Sequence, residues 1–325
     1  MCGKIDCYIK AFSELRTDKN KNRWSAATTF RAPHKPFLLL SILDLISEGI
    51  ITKEFIEPTF ELAETFAEYW QRVMPLGSSG IMAYPFFYMD SEPFWGLVPR
   101  PGATPPTGKV VSSMKRIKEL YLGAKIDKEL FKLALIEPLR KRLQTALITT
   151  YFAPEIQPVL LEQSQINIEA NEYSRSLLET AEPFPAYAVA VGSSETENKV
   201  RDQGFRKAIV NLYEHRCALC GIRMLTLDGH TVVEAAHIIP WRETKDDKPT
   251  NGLALCRLCH WSFDEGLMGV GKNYEVLISK QVKREPNFPG HMLTLSDRTI
   301  FRPIKKTYWP AQEKIEWHRK EVFKK

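Results

Sequence analysis

Two short cysteine knuckles constrain this chain more than any other feature. Cys217-Ala-Leu-Cys220 and Cys256-Arg-Leu-Cys259 are C-x2-C pairs separated by 35 residues. Each can present two thiolates from one tight turn, and together they meet the tetrahedral four-sulfur requirement of a structural zinc ion. Zinc on Cys217, Cys220, Cys256 and Cys259 is therefore expected. Between and beside the knuckles stand His237, Asn251 and His260, side chains able to serve acid–base or metal-ligand roles.

The remaining cysteines, Cys2 and Cys7, lie near the start and read as small buried hydrophobes. Cysteine used for metal rather than for a disulfide framework fits a reducing, cytoplasmic setting. The opening residues lack the apolar core of a signal peptide, and no run of about 18 apolar residues predicts a membrane span.

A chain of 325 residues is long enough for two cores. Its charge is unevenly spread. Residues 1–150 carry a net +5, 151–200 a net −6 and 201–325 a net +7. Two basic blocks flanking an acidic strip suit two polyanion-binding domains and a connector, although solvated surfaces give similar counts. The expected divisions are a domain over 1–152, an acidic linker over 153–199, and a second domain over 200–325.

The first block predicts helices over 8–20, 36–49, 57–73, 112–122 and 127–151. The segment from Lys35 to Ile46 is apolar nearly all round, as in a central buried helix with a proline in its first turn. The aromatic runs 84–88 and 94–98 predict a short strand pair, and 101–108 a loop. In the connector, helix is expected near 168–180 and a break at Gly192-Ser193-Ser194. The second block predicts a helix over 200–214, β structure over 231–239, a helix over 255–267, a strand over 276–278 and a basic, aromatic tail over 305–325. The fold class is α+β: a mainly helical first domain with a small β element, then a zinc-stabilised domain.

Glu234-Ala235-Ala236-His237-Ile238-Ile239-Pro240, Asn251-Gly252-Leu253-Ala254-Leu255-Cys256 and Cys259-His260-Trp261-Ser262-Phe263-Asp264 strongly resemble the HNH endonucleases of ββα-metal fold. The approach segment 205–213 is similar to the restriction-type branch of that family. The resemblance covers about 200–268. A phosphodiester needs a deprotonated water, charge neutralisation at phosphorus and help for the departing 3′ oxygen. His237, an imidazole that can titrate near neutrality, would be the general base. His260 and Asp264, four apart on one helix, share a face and could hold one divalent ion, Mg²⁺ or Mn²⁺. The resemblance implies that Asn251 braces the loop carrying the base, and that the ends produced are 5′-phosphate and 3′-hydroxyl. Many family members place a metal ligand immediately before the base, where this chain has Ala236. Either Glu234 fills in as a ligand or His260, Asp264 and waters hold the ion; a surface carboxylate is the other reading of Glu234 and of Asp264. His215, His230, His291 and His318 receive no role.

In the first block, Arg31-Ala32-Pro33-His34-Lys35-Pro36-Phe37-Leu38-Leu39-Leu40, Tyr84-Pro85-Phe86, Glu129-Leu130-Phe131 and Tyr151-Phe152 occur in order. They resemble the sulfur-binding domain of type IV restriction endonucleases that attack phosphorothioated DNA, over about 8–152. Sulfur is larger, more polarisable and a poorer acceptor than the oxygen it replaces. An apolar pocket therefore discriminates in its favour, by about 1–3 kcal/mol. Tyr84, Pro85 and Tyr88 would line that pocket, with Arg31, His34 and Lys35 meeting phosphates and base edges. Tyr88 stands where a small residue is expected. The implied partner is phosphorothioated double-stranded DNA, and a homodimer suits a site that cuts one strand at a time. Two other readings are a nuclease with an unmodified or differently modified target, and a non-catalytic zinc DNA-binding protein.

Overall fold

The computed structural model describes residues 4–78, 80–104, 111–179, 195–284 and 290–325. Cys2, the 192–194 break and residues 105–108 of the 101–108 loop thus lie outside the described residues. The chain divides into two compact units, one of 1–168 with 227–230 and one of 169–226 with 231–325.

In order, the first unit contains α1 (Lys4–Ser13), α2 (His34–Ser47), β1 (Phe55–Ile56), α3 (Phe60–Val73), α4 (Ala83–Tyr88), β2 (Trp95–Pro99), α5 (Met114–Leu120), β3 (Tyr121–Ile126), α6 (Lys128–Leu135) and α7 (Glu137–Tyr151). The long helix α8 (Gln157–Glu179) follows, and the division between the units falls within it. The stretch expected to be a linker, 153–199, therefore holds all of α8 and the first residues of the next helix.

As its composition predicts, α2 is the buried axis. Every residue from Lys35 to Ile46 is buried. Pro36 is tolerated because the first helical turn has no intrahelical partner for its missing N–H. Asp44 is carried into this core with no exposed surface. It accepts hydrogen bonds from Tyr69 (2.6 Å), Ser164 (2.6 Å), Asn167 (3.0 Å) and Gln144 (3.1 Å), which replace the water it has lost.

The aromatic run 84–88 is not a strand. It forms α4, in which Ala83, Phe86 and the following Met89 are buried at helical spacing, with Pro85 in the first turn. The strand paired with 95–99 is β3, giving an antiparallel sheet of order β1-β3-β2. The single helix expected over 127–151 is two, because Pro138 opens a new first turn at α7 after Ile136 leaves helical geometry. Cys7 is exposed on α1, against the expectation that it is buried.

The second unit begins with the end of α8 and contains α9 (Glu195–Leu212), β4 (Val233–His237), α10 (Trp241–Thr244), β5 (Gly252–Cys256), α11 (Arg257–Asp264), β6 (Met268–Val270), β7 (Val276–Ile278), α12 (Lys280–Arg284) and α13 (Gln312–Glu321). Strands β4 and β5 are antiparallel, with Val233 opposite Cys256 and His237 opposite Gly252. Helix α11 follows β5 without a gap, so the hairpin and helix make a ββα unit. Its core is Phe205, Ile209, Val233, Ala236, Leu253, Leu255 and Phe263 with their neighbours. The architecture is thus mixed helix with small sheets.

Candidate active site and metal centre

The four knuckle cysteines converge. One sulfur from each of Cys217, Cys220, Cys256 and Cys259 lies within 4.8 Å of the others. The Cys220 and Cys256 sulfurs are 3.7 Å apart. That is far beyond a disulfide bond and close to the roughly 3.8 Å edge of a tetrahedron with 2.3 Å zinc–sulfur bonds. Thiol hydrogen bonds within the cluster pull apart the four proton affinities. The contact with Cys220 lowers Cys217 to about 7, and contacts with Cys217 lower Cys256 and raise Cys220 and Cys259. The donor set fits a zinc ion, which would bind all four as thiolates.

His237 ends β4. Phe205 of α9 stacks on its ring, with centroids 3.9 Å apart and planes 7° from parallel. Its Nε2 lies 2.7 Å from Asp247 Oδ1. The side chain keeps 19% exposure, so the ring is held yet reachable. Asn251 is fully buried in the turn before β5. Its Oδ1 accepts from the Ile239 N–H at 3.0 Å, while Nδ2 donates to the carbonyls of Ile239 (3.0 Å) and Asp246 (2.9 Å). It ties together the two chain segments that flank His237 and Asp247.

The second histidine is grouped separately. His260 Nδ1 is 3.4 Å from Glu234 Oε2, and Nε2 is 3.5 Å from Asp264 Oδ2. The two carboxylates thus address opposite ring nitrogens. The Nε2–Asp264 separation is near the roughly 3 Å spanned by two donors each about 2.1 Å from one ion. Glu234, also 3.4 Å from Arg257, stands where it can orient the ring from behind. Among the described residues, the four cysteines are the one group of three or more ligands gathered within metal-binding distance.

In the first unit, His34 and Tyr84 have ring centroids 6.4 Å apart, edge to face, and His34 also packs on Trp70 at 4.7 Å and Trp24 at 5.4 Å. Burial, and then the nearby Arg23 charge, push the His34 imidazole down to about 4, so it is neutral at pH 7. Pro85 is buried and Tyr88 exposed. Arg31 lies over the Tyr151 ring at 5.7 Å. Lys35 is turned inward, 2.9 Å from Ser91 Oγ and ion-paired with the equally buried Glu92. Its charge is spent inside the fold.

Sequence reasoning missed Asp247 and Arg201. The run Asp246-Asp247-Lys248-Pro249 is an unremarked polar loop in the sequence, and its partners Tyr173 and Arg201 lie 74 and 46 residues away.

Residues 217–271 match the family model described as HNH endonuclease. With the hairpin, helix and four-cysteine cage, this segment is an HNH endonuclease domain, the class of a DNA-cleaving hydrolase. Among solved structures, the chain is similar to a modification-dependent TagI restriction endonuclease at 21% identity, over 36% of this chain, with a TM-score of 0.27. The match spans 37% of that protein's length, and a superposition this partial establishes no shared overall fold. No match is found among curated proteins. Among the described residues, no helix is long and apolar enough to cross a membrane.

Proposed function

We propose that this chain is a modification-dependent DNA endonuclease of type IV character, with phosphorothioated double-stranded DNA as its target. The observation that carries the target is the aromatic surround of His34. Tyr84, Trp70 and Trp24 place apolar faces about an imidazole that is neutral at pH 7 and retains an N–H to donate. A wall of this kind favours a polarisable sulfur over a strongly hydrated phosphate oxygen. Pro85 and Tyr88 on α4 are assigned to the same pocket by the resemblance alone, and Arg31 would supply charge to the backbone; Lys35 would do so only if it leaves Glu92.

In the nuclease unit, His237 takes the proton of the attacking water and Asn251 holds its loop in place. His260 and Asp264 would hold the catalytic divalent ion, Mg²⁺ or Mn²⁺, with Glu234 fixing the far side of the imidazole. That ion would supply charge neutralisation at the scissile phosphate and its leaving oxygen. The cysteine zinc is structural. A single site of this kind cuts one strand at a time, so a homodimer accounts for a double-strand break. Cysteines used for zinc rather than for disulfides, and a DNA substrate, suit the cytoplasm.

The test is binding of full-length His237→Ala protein to two matched duplexes, one phosphorothioated and one plain, at fixed salt. Affinity about tenfold or more higher for the sulfur duplex, lost on Pro85→Ala, is expected. Equal affinity removes the sulfur reading and leaves a nuclease with another target. Divalent-dependent nicking by the wild type, abolished in His237→Ala, tests the endonuclease reading against a non-catalytic zinc module.

A further inference from the structure

Asp247 is a buried carboxylate that the His237, Asn251 and His260 pattern leaves without a task. It lies between α10 and β5 and is 6% exposed. Three side chains converge on it. His237 Nε2 is 2.7 Å from Oδ1, Tyr173 Oη donates to Oδ2 at 2.8 Å, and Arg201 Nη1 is 3.4 Å from both oxygens. Arg201 is itself fixed, its guanidinium 3.8 Å from the centre of the Trp241 ring. Burial, and then the Asp247 charge, raise the Tyr173 phenol, which keeps it a donor. The carboxylate is therefore oriented from behind by two groups and presents its closest contact to the histidine.

A purely structural role accounts for this poorly. The loop has its own anchors: Asp246 pairs with Lys314, its carbonyl accepts from Asn251 at 2.9 Å, and its carboxylate accepts from the Lys248 N–H at 2.9 Å. The Arg201 contact is wide for an ion pair that would hold two elements together, whereas the His237 contact is short.

We propose that Asp247 is a positioning residue for DNA cleavage: by accepting the Nε2 proton of His237, it fixes the tautomer that leaves Nδ1 free to take a proton from the attacking water. The inference rests on reading His237 as the general base. The proton balance is simple. Water gives one proton to Nδ1 as its oxygen attacks phosphorus, and the P–O3′ bond breaks with its electron pair passing to the 3′ oxygen, which takes a proton from solvent. The resulting imidazolium keeps its second proton on Nε2 against the Asp247 carboxylate, and then returns a proton to solvent. Phe205 holds the ring plane throughout, so the carboxylate and the stacked ring together leave the imidazole a single orientation.

The substitution that isolates this is Asp247→Asn, which keeps the side-chain shape but can donate as well as accept, and so admits the opposite tautomer. Full-length, zinc-loaded protein labelled with ¹⁵N-histidine is examined by long-range ¹H–¹⁵N correlation, with His237→Gln identifying the His237 signals. The wild type should show the Nε2–H form and Asp247→Asn a mixture or the Nδ1–H form. Single-turnover cleavage should fall about 10²-fold or more in Asp247→Asn, with DNA affinity unchanged within about twofold. Tyr173→Phe, which removes one support and leaves the charge, should give a smaller loss in the same direction. Zinc content and melting temperature establish that each variant is folded. An Nδ1–H tautomer in the wild type, or an unchanged cleavage rate in a folded Asp247→Asn, overturns the assignment of Asp247 alone. A wild type that cuts no DNA with any divalent ion overturns the endonuclease reading beneath it.

Discussion

Replacing Asn251 by alanine should loosen the loop that carries His237 and Asp247 by an amount the structure allows to be worked out. The side chain makes three hydrogen bonds, all to backbone: one from the Ile239 N–H and one each to the carbonyls of Ile239 and Asp246. The residue is completely buried, so water does not replace these partners without the loop opening. Each lost bond costs about 1 kcal/mol net, and more where the group left behind stays dry. Three give about 3 kcal/mol, a factor of roughly 10² in the equilibrium for local opening. Hydrogen–deuterium exchange by mass spectrometry reads this directly: a peptide covering 233–247 should exchange roughly 10²-fold faster in Asn251→Ala, while peptides from α7 are unchanged. Asn251→Asp should be no better, because a carboxylate still accepts from Ile239 but faces two carbonyl oxygens with no proton to offer. Cleavage should decline in both. Exchange of 233–247 within about threefold of wild type in Asn251→Ala would refute the bracing role.

Purified protein should contain one zinc per chain by mass spectrometry, and Cys217→Ser or Cys259→Ser should lose it together with the cooperative unfolding of the second unit. Gly252→Ala should disturb His237 from across the hairpin: an added Cβ would lie 2.3 Å from Ile209 Cδ1 and 3.2 Å from Phe205 Cζ, in the ring that stacks on His237. A loss of about 1–3 kcal/mol in a urea melt and slower cleavage are expected. Glu92→Ala should cost about 3–5 kcal/mol in thermal or urea unfolding of the first unit, since it strands the buried Lys35 ammonium without its partner. The His34 imidazole should titrate near 4 by NMR. Because its folded value is depressed below the unfolded one, the unfolded state binds the extra proton, and stability is lost as pH falls from about 6.5 to 4, by up to about 3 kcal/mol. His34→Gln should flatten that slope.

What could be read from residue order alone was whatever depends on short spacing. A C-x2-C turn offers two thiolates whatever surrounds it, and the buried helix α2 announces itself by being apolar on all sides. The misreadings share a different cause. Tyr84 to Tyr88 is too short and too uniformly aromatic for periodicity to separate helix from strand, and the true partner of 95–99 lies more than twenty residues further on. Lys35 looks available for phosphate until Glu92, 57 residues away, is seen beside it. The carboxylate behind His237 is defined by Tyr173 and Arg201, which no local pattern ties to it. The acidic bias of 153–199 suggested a connector; the hydrogen bonds of Ser164 and Asn167 in α8 to Asp44 join residues more than a hundred positions apart, which no local pattern reveals.

The adjacency of Cys259 and His260 on α11 has a consequence for how cleavage can be silenced. This helix has eight residues, too few to hold its own shape in water, so its register depends on the sulfur cage at its first turn. Oxidants attack thiolates rather than imidazoles under mild conditions. One sulfenic acid or one adventitious disulfide among the four sulfurs would release the helix and scatter His260 and Asp264, although none of the four sulfurs takes part in breaking a phosphodiester. Oxidative stress would then disarm the nuclease from behind, and reduction with zinc resupply would restore it.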